Sequence, residues 1–123
     1  MAKANILVVE DESIVALDLK HRLRNLGYAV VAIVASGSKA IEKAGETQPD
    51  LVLMDIRLKG DMDGIEAARE IQIRFETPVI YLTALADKDT LERAEATRPY
   101  GYVIKPFDEA ELHNTIEKAL KQY

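Results

Sequence analysis

Five short apolar runs alternating with helix-period segments predict an α/β domain of the (βα)5 type, a three-layer sandwich with a parallel five-stranded sheet at its centre. Two observations carry this expectation. The candidate strands Ile6–Val9, Ala29–Val34, Leu51–Met54, Val79–Leu82 and Tyr102–Ile104 are apolar throughout rather than alternating, as strands covered on both faces should be. Between them, apolar residues recur at three- and four-residue spacing, which supplies the helical crossovers that parallel strands require.

In chain order, the first strand passes through Glu10-Asp11-Glu12 into a helix with the stripe Val15, Leu19, Leu23 and Leu26, closed by Gly27. Ser36 is placed to cap the second helix, which carries Ala40, Ile41 and Ala44, and the third presents Ile65, Ala68 and Ile71. The fourth segment, capped by Asp87 and running to Thr97, is the weakest and offers only Leu91 and Ala94. The fifth opens on a capping-box-like Asp108 and Glu111 and carries Leu112, Ile116 and Leu120. With no linker, repeat or low-complexity stretch, one domain spanning residues 1–123 is expected, leaving no room for a separate output domain.

The chain has 123 residues, 48% of them hydrophobic, enough to bury a core of its own. Its 21 acids against 16 bases give a net charge of −5, so no broad positive field attracts nucleic-acid phosphates and none is expected as a partner of this domain. The absence of cysteine excludes disulfides, thiolate metal sites and cysteine nucleophiles. No apolar segment is long enough to span a membrane or serve as a signal, so a soluble, cytoplasmic protein is expected.

In open α/β sheets ligands bind beyond the carboxyl ends of the strands. There the first strand ends at Glu10-Asp11-Glu12, the third at Asp55, the fourth at Thr83-Ala84 and the fifth at Lys105-Pro106. Glu10, Asp11 and Asp55 would bring three carboxylates to one edge, where like charges call for a cation. Mg²⁺ suits such a set, because it takes oxygen ligands and is commonly held by one or two carboxylates plus a phosphate. A carboxylate can also attack phosphorus, which makes Asp55 a candidate nucleophile with Lys105 as the compensating cation. Taken singly, an acid after a strand usually caps a helix and a lysine is usually a solvated surface charge. Their order along the strands is what favours a phosphate site.

The segments Ile6–Glu12, Pro49–Asp55, Asp63-Gly64, Pro78–Ala84 and Gly101–Phe107 closely resemble the response-regulator receiver family over essentially the whole chain. The resemblance implies a flavodoxin-like fold with strand order 2-1-3-4-5. It implies transfer of a phosphoryl group to Asp55 from a sensor histidine kinase or phosphotransfer protein. The implied metal set is Asp11 and Asp55 directly, Glu10 through water and the backbone carbonyl of Arg57, holding Mg²⁺ or Mn²⁺. Thr83 and Lys105 would bind phosphoryl oxygens, Tyr102 would move inward on activation, and Lys105-Pro106 would be a cis peptide. A surface switched in this way would serve an effector downstream, in a monomer or weak dimer.

Three features depart from the commonest family pattern: Glu10 where aspartate is frequent, a longer loop from Ile56 to Met62 with Lys59 in place of proline, and Arg57 two residues beyond the acceptor. Arg57 is expected to screen the phosphoryl group from water and prolong its life. Ile14 and Leu17 lie opposite the core stripe of the first helix, and Ile14 is expected to join Pro106 and Phe107 in docking the phosphodonor. His21 and His113 stand far apart without metal-ligand partners and read as surface residues.

Alternative readings are a receiver used only for protein interaction and a phosphatase with an aspartyl-phosphate intermediate. The phosphatase would need a general acid where Arg57 stands, and arginine cannot donate and recover a proton near neutral pH. A flavin-binding module of the same fold would need a phosphate loop where Glu10-Asp11-Glu12 repels phosphate.

Overall fold

The computed structural model describes residues 3–60, 62–84 and 87–122. Five strands and five helices alternate strictly: β1 (Asn5–Val9), α1 (Ser13–Asn25), β2 (Ala29–Val34), α2 (Gly37–Thr47), β3 (Leu51–Asp55), α3 (Gly64–Phe75), β4 (Val79–Thr83), α4 (Lys88–Ala96), β5 (Gly101–Ile104) and α5 (Glu109–Gln122). All pairings are parallel and the strand order is β2-β1-β3-β4-β5, a flavodoxin-like sheet as expected. Among the described residues no helix is long and apolar enough to cross a membrane.

Because successive strand residues face opposite sides of the sheet, strands that are apolar at every position build two cores. Ile6, Val8, Leu51, Leu53, Ile80 and Leu82 pack on one side with Leu19 and Leu23 of α1 and Leu112 and Ile116 of α5. Leu7, Val9, Val52, Met54 and Tyr81 pack on the other with Ala40 and Ala44 of α2, Ala67, Ala68 and Ile71 of α3, and Ala94 of α4. Ile14 and Leu17 stay outside both, strongly exposed, as the helical phase of α1 requires.

The helix ends follow the expected chemistry in part. Gly27 takes φ +96° after α1, Ser36 accepts from the Lys39 amide, and Asp87 accepts from the Thr90 amide at 2.8 Å. The full capping box lies elsewhere than expected: Asp63 and Glu66 exchange side-chain and backbone bonds at the start of α3. Among the described residues no side-chain hydrogen bond joins Asp108 to Glu111, and α5 starts with the Leu112 amide bonded to the Asp108 carbonyl. α2 and α3 end in the left-handed region on Gln48 (φ 47°) and Glu76 (φ 55°), where glycine would be the unstrained choice. The sheet also runs further than the apolar runs indicate, since Asp55 and Thr83 are the last paired residues of their strands.

Candidate functional site

β1 and β3 are adjacent at the centre of the sheet, and β5, beyond β4, ends at the same edge. Their polar residues meet there as expected. Carboxylate oxygens of Glu10, Asp11 and Asp55 all lie within 4.8 Å of one another. Lys105 reaches between two of them, with Nζ 2.7 Å from Glu10 Oε1 and 3.4 Å from Asp55 Oδ2. The peptide that follows it, Lys105-Pro106, is cis.

Each carboxylate is also held by backbone. The Arg57 amide donates to Asp55 Oδ1 at 3.0 Å, the Glu12 amide to Glu10 Oε2 at 3.2 Å, and the Lys59 amide to Asp11 Oδ2 at 3.4 Å. The loop after β3 thus wraps back over the cluster, although its Asp61 lies outside the described residues. Gly64 makes this return possible: a Cβ on it would fall 1.9 Å from the Asp55 carbonyl oxygen, so no other residue fits unless the backbone shifts.

The electrostatics of the cluster are unbalanced. Burial first, then the negative Asp55, raise the Glu10 carboxyl to about 7 against the downward pull of the Lys105 ammonium. Burial alone would lower Lys105, yet the close carboxylates of Glu10 and Asp55 outweigh it and hold the ammonium above the usual lysine range. Glu10 Oε1 is fully buried, and although the ammonium is close to it, no donor is aligned on it as a hydrogen bond. A buried carboxylate oxygen in that condition, within reach of two further carboxylates, fits a hard divalent cation such as Mg²⁺.

Thr83 is buried at the end of β4, its hydroxyl 3.4 Å from the Ala84 carbonyl. Tyr102 on β5 is half-buried, stacks on Tyr81 at 5.9 Å between ring centroids, and donates its hydroxyl to Glu95 at 2.6 Å. Burial and the neighbouring Glu95 hold that hydroxyl well above the ordinary tyrosine range. The Arg57 side chain extends toward Asp87, Nη2 to Oδ2 3.7 Å. Ile14 and Val15 share one groove with Lys105, Pro106 and Phe107. His21 is exposed and His113 pairs with Glu117 at 2.7 Å, so neither histidine joins the site.

Sequence reasoning missed three parts of this arrangement: the close approach of Gly64, the Arg57–Asp87 pair, and a second pair between Arg93 and Asp63 at 3.0 Å. The Asp63-Gly64 dipeptide carried a signal for the first, being glycine just inside a helix start where an alanine would serve the helix better. The two ion pairs join residues distant in sequence and left no local trace.

An open parallel sheet with three carboxylates and a lysine at its carboxyl edge defines an acidic-cleft α/β module able to hold a divalent cation. The family model for the response regulator receiver domain matches residues 6–117, and the chain belongs to that family. Receiver domains serve two-component signalling and bind Mg²⁺ through an acidic cluster of this kind.

The transcriptional regulatory protein PdtaR of Mycobacterium tuberculosis is 37% identical over 96% of this chain, which spans 57% of that protein's length. The crystal structure of the signal receiver domain of a modulated diguanylate cyclase from Desulfovibrio desulfuricans matches with a TM-score of 0.93 and 35% identity, covering 97% of this chain and 94% of that one. The receiver domain of the sensor histidine kinase PA1611 from Pseudomonas aeruginosa matches with a TM-score of 0.87 and 35% identity, covering 98% and 99%; that structure has a magnesium ion coordinated in its active site cleft.

Proposed function

We propose that this domain accepts a phosphoryl group on Asp55 from the phosphohistidine of a sensor kinase or phosphotransfer protein, and that the modified domain presents an altered surface to a downstream effector. The observation that carries this reading is the shared Lys105: one ammonium contacts both Asp55 and the buried Glu10, with Asp11 alongside.

In the transfer, an Asp55 carboxylate oxygen forms the new bond to phosphorus as the phosphorus–nitrogen bond of the donor breaks. The bonding pair returns to the imidazole nitrogen, and a proton carried on the other ring nitrogen leaves the donor histidine as a neutral imidazole. Charge spread over the phosphoryl oxygens needs fixed positive and hydrogen-bonding partners, a role for the Lys105 ammonium and the Thr83 hydroxyl. Glu10, Asp11, Asp55 and the Arg57 carbonyl would hold Mg²⁺, or Mn²⁺, which when bound neutralises charge between the acceptor and the phosphoryl group. The groove of Ile14, Val15, Pro106 and Phe107 beside Lys105 offers the donor an apolar footing next to the reacting carboxylate. A donor of this class works in the cytoplasm, and Tyr102 is the residue proposed to change position with the switch.

Intact mass after incubation with acetyl phosphate and Mg²⁺ tests the reading. Wild type should gain about 80 Da, one phosphoryl group, only when Mg²⁺ is present, and Asp55→Asn should gain nothing. If wild type takes no adduct from acetyl phosphate or from a phosphorylated kinase domain while binding Mg²⁺ normally, the domain acts through protein interaction alone.

A further inference from the structure

α4 is the helix least anchored by apolar packing. It buries only Ala94, whereas α3 buries Gly64, Ile65, Ala67, Ala68 and Ile71. Its position therefore depends on polar contacts. Toward its C-terminal end, Glu95 accepts from the Tyr102 hydroxyl at 2.6 Å and Thr97 Oγ1 lies 2.7 Å from the Tyr81 hydroxyl.

Two reciprocal ion pairs also cross a cleft of ≈ 300 Å³ between α4 and the loop after β3, one at the N-cap of the helix and one from its last turn. Arg57 of the loop pairs with Asp87, the N-cap of α4, and Arg93 of α4 pairs with Asp63, the N-cap of α3. Each aspartate divides its work in the same way. Oδ1 caps its helix, accepting from Thr90 or Glu66, and Oδ2 faces the arginine.

The two pairs differ in strength. Arg93 makes a hydrogen bond of 3.0 Å to an Asp63 side chain that is 31% exposed. Arg57 stands 3.7 Å from Asp87, and both side chains are more than 60% exposed, so water and salt weaken this pair considerably. At the same time the Arg57 backbone is fastened to Asp55 through its amide. A guanidinium is thus tethered two residues from the acidic site and only loosely committed elsewhere. A phosphoryl group carries about −1.5 to −2 charges, against −1 for an aspartate, and offers several oxygens to the planar guanidinium fork.

We propose that a phosphoryl group on Asp55 and the cap residue Asp87 compete for the Arg57 side chain, so that phosphorylation unfastens the N-terminal end of α4. This rests on the reading of Asp55 as the acceptor and adds the route by which its charge reaches the neighbouring helix. The cap itself survives, because Oδ1 of Asp87 keeps its bond to Thr90 when Oδ2 loses its partner. Arg93–Asp63 and the two tyrosine contacts remain as the pivot.

Hydrogen exchange of the α4 segment, read by mass spectrometry with α5 as internal reference, tests this before and after treatment with acetyl phosphate and Mg²⁺. The extent of phosphorylation is measured on the same samples by intact mass. Wild type should exchange about threefold faster or more over α4 once phosphorylated. Asp87→Asn, which keeps a capping oxygen but no charge, and Arg57→Gln should exchange faster from the outset and gain little on phosphorylation. Full phosphorylation with the same α4 response in wild type and both variants would overturn the competition alone. Absence of any adduct in wild type would overturn the acceptor reading, and the competition with it.

Discussion

Arg57 stands where its side chain could serve either the acidic site or α4, and the difference is measurable. If its guanidinium turns onto phosphoryl oxygens, it shields them from water, and Arg57→Ala should shorten the half-life of the aspartyl phosphate several-fold. Loss of the 80 Da adduct with time after donor removal checks this, and equal half-lives would remove Arg57 from the picture. Glu10 allows a second test. Its carboxyl, raised to about 7 mainly by burial, is partly protonated at neutral pH, yet a divalent ion requires the carboxylate. Mg²⁺ binding should therefore release protons and weaken by up to tenfold for each pH unit below about 7, levelling off above it. Calorimetric titrations in buffers of different ionisation enthalpy measure both effects. In Glu10→Gln the affinity should be lower and its pH dependence flat over the same range.

At the level of the elements, Gln48 and Glu76 close α2 and α3 in a left-handed conformation that costs a side-chain-bearing residue roughly 1 kcal/mol relative to glycine. Gln48→Gly should therefore raise the unfolding free energy by about 1 kcal/mol, read from urea titrations, with phosphorylation unchanged because the position lies at the sheet's opposite end. The same residues mark where sequence reading stops. Strands and helix faces were legible because burial on both sides of a parallel sheet imposes a pattern that local sequence must carry: Ile6 and Val8 to one side, Leu7 and Val9 to the other. Helix ends were legible at Gly27, Ser36 and Asp87, whose chemistry is local, and hidden at Gln48, where tertiary context overrides backbone preference. The site divides likewise. Glu10, Asp11 and Asp55 could be read from their places at strand ends, since β1 and β3 are neighbours, and Lys105 from its place at the same edge of the sheet. That Lys105 lies against Glu10 as well as Asp55, and that α4 hangs on Arg57 and Arg93, depends on side-chain directions across the fold.

For the whole molecule, a cluster built for a cation carries a stability cost when the cation is missing, and the sign of that cost is set by Glu10. With a folded value of about 7 against an ordinary 4.5, its protonated form is favoured by the fold. The associated stability is fully present below about pH 4.5 and is lost as pH rises through about 7, a change on the order of 3 kcal/mol. Lys105 shifts upward too, but its window lies far above this range. Asp87 and Glu117 are held below their ordinary values, by hydrogen bonds from Thr90 and from His113 respectively, so their contribution fades only as pH falls below the normal carboxylate range. The interval between about pH 4.5 and 7 is therefore the one in which Glu10 contributes. In EDTA, the urea midpoint should decline across it, and Glu10→Gln should remove most of the decline. In saturating Mg²⁺ the decline should disappear, because the tighter uptake of the ion as Glu10 loses its proton offsets the lost stability, whereas the unfolded chain gains no such site. A midpoint that stays level with pH in EDTA would mean that the cluster relaxes around Glu10 and stores no charge imbalance for the cation to relieve.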